Sequence, residues 1–250
     1  MIFRQLLEPV SCTYTYLIAC PDTGKVALID PVIETAERDL QVLQDLNLSL
    51  DYTIETHVHA DHLTGALKLK ALANSQIASP AMDNLPCTDI GIQAGTPFKV
   101  GNIDIHPLHT PGHTDSHHAY LIDTPSHKLL FSGDALLIEA CGRTDFQSGN
   151  AADLYDSIHQ QFFSLPDETL VYPGHDYDQR QLTTIGQEKC RNPRLGNNKP
   201  KDEFIKIMDN LDLPYPKKID FAVPGNQLCG SCPDNVPAEL RGLCLLHEQG

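Results

Sequence analysis

At the start of the chain apolar and polar residues alternate with a period of two, as half-buried strands do. The pattern predicts strands over 2–7, 13–19 and 25–30. From 35 to 46 the spacing changes: Ala36, Leu40, Leu43 and Leu46 recur at helical intervals and form one apolar stripe. A short strand is predicted over 51–55 and a helix over 63–73. After a stretch punctuated by Pro and Gly, strands resume over 98–100, 103–108, 118–122 and 128–131. A helix over 153–163 opens on an acidic cap, and 169–172 is again a strand. The order strands, helix, strand occurs twice, without a sequence repeat beneath it. It predicts an α/β (α+β) protein of two β-rich halves flanked by helices. Beyond Gly174 the character shifts: 179–190 is polar and helical, 204–211 a short helix, and the remainder rich in Pro, Gly and Cys. No linker interrupts the chain, so the expectation is one domain over 1–250, with a core of 1–175 and a packed C-terminal extension of 176–250.

Composition and charge exclude several classes. With 33 acids against 18 bases the formal net charge is −15, which would repel a nucleic acid backbone. No apolar run nears the roughly 20 residues of a membrane span. The N-terminus alternates like a strand and lacks the basic and then apolar regions of a signal peptide. No membrane partner is therefore expected, and the predicted compartment is the cytoplasm. Eight cysteines in 250 residues are too sparse for a disulfide scaffold, so reduced thiols are expected.

Chemistry enters at ETHVHADHLTG, residues 55–65. A loop leaving a strand can turn His57 and His59 toward one point, with Asp61 and His62 facing a neighbouring one. His113 in HTPGHTDSH, Asp134 in FSGDAL and His175 in YPGHDY each follow another predicted strand. Four strand ends that supply imidazole and carboxylate to one sheet edge have the donor types of a metal site. A single histidine such as His106 or His127 reads better as a surface hydrogen-bonding group; the constellation does not. Arg143 and Asp145 stand two apart in CGRTDF, on one side of an extended segment. Arg143 either holds a substrate carboxylate or pairs with Asp145 or Asp176 to fix the loop. In the tail, Cys229 and Cys232 with Cys244 and His247 have the donor types of a structural zinc site, against a reversible disulfide or no special role. Asp30 in ALIDP reads as structural, and Cys141 as a small buried residue.

With the later His, Asp and His, the motif H-x-H-x-D-H resembles the metallo-β-lactamase superfamily. That resemblance implies an αββα sandwich, two mixed β-sheets flanked by helices, with metal at the sheet edge. In the superfamily pattern His57, His59 and His113 match first-metal ligands, Asp134 the bridging carboxylate, and Asp61, His62 and His175 second-metal ligands. The set alone does not choose a branch. Three other stretches do: ACGRTDFQSGN, YPGHDYDQRQLTTIGQEKCRNPRL and EFIKIMDNLDLPYPKKIDFAVPGNQLCG resemble the persulfide dioxygenase branch, the ETHE1-like iron enzymes. The glyoxalase II branch has a Gly-Gly pair near Leu63-Thr64-Gly65 and a helical, basic C-terminal domain that finds no match.

The resemblance implies one Fe(II) per chain on His57, His113 and Asp134, a facial triad with open positions. Glutathione persulfide and O2 would be the substrates, sulfite and glutathione the products. His59, Asp61, His62 and His175 would then orient ligands through hydrogen bonds, or hold a second ion. Tyr177 would join Arg143, Asp145 and Asp176 near the pocket. The alternative is a glyoxalase II-like thioester hydrolase with a dinuclear zinc site; a third reading is a non-catalytic, metal-binding sulfur-handling module. Relatives imply a homodimer, and a sulfurtransferase partner would be a separate chain.

Overall fold

In the computed structural model, which describes residues 1–244, the strands β1 (Ile2–Glu8), β2 (Thr13–Ala19), β3 (Val26–Ile29), β4 (Tyr52–Ile54), β5 (Gln76–Pro80) and β6 (Ile90–Ile92) pair in that order into one sheet. β1 to β3 are antiparallel and β3 to β6 parallel. Every residue of β2 and β3 is buried; β3 is an unbroken apolar run, as fully covered strands are, whereas β2 opens on alternating Thr and Tyr. Parallel neighbours need crossovers, and helices α1 (Ala36–Asp45) and α2 (Ala66–Ala73) supply two of them. α1 sets Ala36 and Leu43 against Leu17, Leu28 and Leu69 in the core. α2 begins three residues later than the pattern predicts, because Thr64 and Gly65 are spent on hydrogen bonds to Pro31.

A second mixed sheet follows, of β7 (Phe98–Val100), β8 (Ile103–His109), β9 (His118–Asp123) and β10 (Lys128–Gly133), then β13 (Leu170–Pro173) and β14 (Thr183–Thr184). Its order is β14-β13-β10-β9-β8-β7, with β10 and β13 parallel. Between them β11 (Leu136–Leu137) and β12 (Ala140–Cys141) make a small hairpin. Helices α3 (Ala151–Ser157), α4 (Ile185–Arg191) and α5 (Lys201–Asp209) cover this sheet, burying Leu154, Ile185 and Phe204 with Leu130 and Val171. The cap of α3 is Asn150, whose side chain accepts from the Ala152 and Asp153 amides, and 158–162 is a π turn. Thr184 caps α4, so the helix expected over 179–190 starts later. The expected α/β class, mixed sheets flanked by helices, is what forms.

By compactness the chain divides into two units: Met1–Ile92 with Lys99–Ile103 and Tyr215–Gly250, and Gln93–Phe98 with Asp104–Pro214. The tail is thus shared out. Its helices α6 (Ile219–Asn226) and α7 (Ala238–Cys244) belong to the first unit, where Phe221, Ala222, Val236 and Leu240 pack on Ile33 and Leu63.

The expectation of reduced cysteines and of a tail zinc site is corrected. Cys229 is bridged to Cys87, with S–S 1.98 Å and Cα–Cα 6.0 Å, and Cys232 is also disulfide-bonded. Sulfurs committed to disulfides are not thiolate ligands. Cys229 has a left-handed backbone, φ 55°, so its side chain does not follow the line the C-x-x-C spacing implies. The side chain of Cys244 and all of His247 lie outside the described residues. Among the described residues the free thiols are Cys12, Cys20, Cys141 and Cys190, and no helix is long and apolar enough to cross a membrane.

Candidate metal centre

In the first unit, β3 and β4 run parallel, so the residues that follow them emerge at the same edge. Asp30 follows β3 and the run Glu55 to His62 follows β4. Asp30 braces the run: Oδ1 accepts the Thr56 amide at 2.7 Å and Oδ2 the Thr56 hydroxyl at 2.9 Å. That hydroxyl has one proton and spends it on Asp30. It therefore accepts from His57 Nδ1, 2.9 Å away, which puts the ring's lone pair on His57 Nε2. His57 and His59 have ring centroids 4.1 Å apart, and His59 and His62 4.3 Å.

His59 has a different environment. Its Nε2 lies 3.1 Å from Asp30 Oδ1 and 3.5 Å from Glu55 Oε2. Burial alone would lower its pKa, but the Asp30 and then the Glu55 carboxylate raise it well above the ordinary imidazole value. His62 Nδ1 sits 3.2 Å from Asp61 Oδ2 and 3.4 Å from the Thr13 hydroxyl. Ligand-type atoms of His59, Asp61 and His62 all lie within 4.8 Å of one another, as do those of Asp30, Glu55 and His59.

The second unit repeats the strategy. β10 and β13 are parallel and β9 antiparallel to β10, so Asp134 after β10, His175 after β13 and His113 before β9 emerge at one edge. Asp134 Oδ2 stands 3.6 Å from His113 Nε2 and 3.5 Å from His175 Nε2. His113 Nδ1 donates to the Arg143 carbonyl at 2.8 Å, so its Nε2 turns a lone pair toward the carboxylate. Asp134 Oδ1 is buried with no hydrogen-bond partner among the described residues. Such oxygens are costly unless a cation meets them. Room for the carboxylate comes from Gly174, where an added Cβ would sit 2.4 Å from Asp134 Oδ1. The donor chemistry of both units, imidazole with carboxylate, fits a divalent metal.

Other anticipated residues fall around these. Arg143 forks onto Asp145 with two bonds of 2.7 Å, gives Nη1–H to the Pro214 carbonyl, and covers the Phe146 ring. The pairing with Asp176 does not form. Asp176 is buried and accepts from the Arg180 amide and guanidinium instead. Tyr177 is 74% exposed, its ring parallel to that of His175 at 6.2 Å. Sequence reasoning missed His117, which is fully buried and accepts the Asp134 amide on Nε2 at 3.2 Å. The doubled histidine in HTDSHH was its only signal. It also missed Thr56, Glu55 and Asn226, whose partners are contacts of the fold.

Comparison with known proteins places this arrangement among relatives. A family profile described as the metallo-beta-lactamase superfamily matches residues 11–175. The chain is 43% identical over 230 residues to human "Persulfide dioxygenase ETHE1, mitochondrial", covering 92% of this chain and 89% of that protein. It also resembles the crystal structure of ETHE1 from Myxococcus xanthus, with TM-score 0.87 and 48% identity over 92% of this chain and all of that one. A hydroxyacylglutathione hydrolase of Rhodospirillum rubrum is 35% identical over 176 residues, covering 70% of this chain and 66% of that protein.

Proposed function

The chain belongs to the metallo-beta-lactamase superfamily and, within it, to the persulfide dioxygenases; on that premise we propose that it oxidises glutathione persulfide with O2 and water to sulfite and glutathione at one Fe(II) held by His57, His113 and Asp134. The observation that carries the reading is the reach of the likeness. Identity to the persulfide dioxygenase runs over 92% of the chain, whereas identity to the hydroxyacylglutathione hydrolase runs over 70%.

Donor chemistry supports the ligand set. On His57 and His113 a hydrogen bond occupies Nδ1 and leaves Nε2 as the lone-pair donor, and Asp134 offers the unsatisfied carboxylate oxygen. Bound Fe(II) would supply adjacent open positions for an anionic sulfur and for dioxygen. His59 faces two carboxylates through Nε2 and acts as a brace of the loop, which favours one ion over two. Arg143 commits three of its five N–H donors within the chain and offers the others to a glutathione carboxylate. The exposed Tyr177, its ring parallel to that of the buried His175, would flank the same substrate. The same proposal includes a separate sulfurtransferase as persulfide source, a homodimer, and a cytoplasmic setting.

Anaerobically purified protein should carry about one iron per chain, as a lone facial-triad site requires, and should take up O2 when glutathione persulfide is added. Cleavage of S-lactoylglutathione by zinc-loaded protein, with no O2 uptake on persulfide, would overturn the reading in favour of a thioester hydrolase.

A further inference from the structure

The metal-binding loop of the first unit is tied to a segment more than 160 residues away in sequence. Asn226, at the end of α6, is 3% exposed and spends its whole amide on that loop. Its Nδ2 donates to the carbonyls of His59 and His62, each at 2.8 Å. Its Oδ1 accepts the Thr64 amide at 2.9 Å. Three backbone groups of one turn are thereby fixed by one side chain, and His57 is two residues from the nearest of them.

The segment that carries Asn226 is itself pinned. The Cys229 carbonyl accepts the Leu67 amide at 3.1 Å, and the Cys229 sulfur is bonded to Cys87, 142 residues away. Gly230 passes so close that an added Cβ would come 2.1 Å from the Thr64 carbonyl oxygen. His57, His59, Thr64, Asn226 and Cys229 line one small cavity. Nothing in the proposed reaction uses Asn226 or the bridge.

We propose that Asn226 is the positioning residue of the metal-binding loop, and that the Cys87–Cys229 bridge is its thiol-cleavable anchor. The role rests on the proposed metal site but not on which reaction occurs there. A thiolate would attack the half-buried Cys87 sulfur, forming a mixed disulfide and releasing the Cys229 thiolate, which takes up a proton. A second thiol would then displace the first, yielding one external disulfide and two protein thiols. Low-molecular-mass thiols such as glutathione belong to the reductant class required. With the anchor cut, Asn226 is held by its own hydrogen bonds, the Cys229 carbonyl and the packing of α6, and the loop loses part of its orientation.

The test is metal retention with Co(II) as probe, whose visible bands report ligand geometry. Wild type, Asn226→Ala and Cys87→Ser are loaded with Co(II) and challenged with EDTA. Asn226→Ala should release the metal about tenfold faster or more, within the range for groups that orient ligands, with shifted Co(II) bands. Cys87→Ser should move both readouts in the same direction. Dithiothreitol should do the same to wild type and have a clearly smaller effect on Cys87→Ser, in which the disulfide of Cys232 is still reducible. Unaltered bands and release rates in folded Asn226→Ala would overturn the positioning role. Should that variant fail to fold, Cys87→Ser decides alone: wild-type retention, or equal thiol sensitivity, would refute the anchor. Wild-type protein that binds no Co(II) would sink the proposed site and this role together, whereas faster release without persulfide oxidation would leave the role standing.

Discussion

In the first unit His57, His59 and His62 are 2%, 1% and 0% exposed, and every turn around them is braced by Asp30, Thr56, Glu55 or Asn226. In the second unit the His113 and Asp134 side chains keep 11% and 13% of their exposure, and the neighbouring aromatic, Tyr177, is mostly in solvent. The difference separates two ways of holding a donor. Buried donors, the proposed ligand His57 among them, are fixed by cross-bracing from neighbouring side chains. Donors that stay partly open take their order from glycine cradles and from an arginine fork at the rim.

The largest expected effect breaks the second unit. Asp134→Ala removes the one carboxylate that His113 and His175 both face, so bound iron should fall to near zero. O2 uptake should drop at least about 100-fold, beyond the loss typical for an outer-shell group. Elemental analysis and an oxygen electrode check both; an active variant with full iron would erase the contrast between the two units. Next comes the brace of the first unit. Because the bridge closes a loop of 142 residues, the Cys87→Ser, Cys229→Ser double variant should lose about 2–5 kcal/mol of stability in urea titrations. Amide exchange should quicken at 62–67 and 225–230 but not around 113 and 134.

A smaller effect sharpens the role of the rim. Lysine cannot reproduce the fork on Asp145, so Arg143→Lys should raise KM for glutathione persulfide several-fold, by about 1 kcal/mol, as for one weakened charged contact. Metal content should not change, because His113 donates to the Arg143 backbone carbonyl and not to its side chain. Loss of iron in that variant would make Arg143 part of the metal support. A further contrast, away from the site, is between two buried thiols. Hydrogen bonds from the Thr23 side chain and then the Asn102 amide lower Cys20 to about 7, whereas burial pushes Cys141 up to about 11. At similar exposure and pH 8, iodoacetamide should alkylate Cys20 at least about tenfold faster, since only its thiolate is populated. Peptide mass spectrometry reads the ratio.

Much of the fold was legible in the chain. The strands over 13–19 and 98–100 are found at the predicted bounds, because strongly apolar or cleanly alternating runs leave few alternatives. The strand Gln76–Pro80 was missed: it is short, ends on Pro and is made by its parallel neighbours on both sides. Asn150 was missed as a cap in favour of an acid three residues later, because both residue types serve equally well in sequence. At the site, all the anticipated His and Asp donors stand on strand-end loops, since such residues have few other reasons to follow an apolar run. Their roles were not legible, because a role depends on which nitrogen is already engaged.

The α/β class, the strand ends that carry the donors and the likeness to persulfide dioxygenases follow from the order of residues alone, because all three rest on local pattern and residue type. Packing in three dimensions is what pairs Cys229 with Cys87 and not with its neighbour in C-x-x-C, gives Arg143 to Asp145 and Asp176 to Arg180, and sets Asn226 to hold the histidine loop. The reason is physical. Spacing constrains residues a few positions apart through backbone geometry, but partners far apart in sequence are chosen by how the packed strands and helices bring them together.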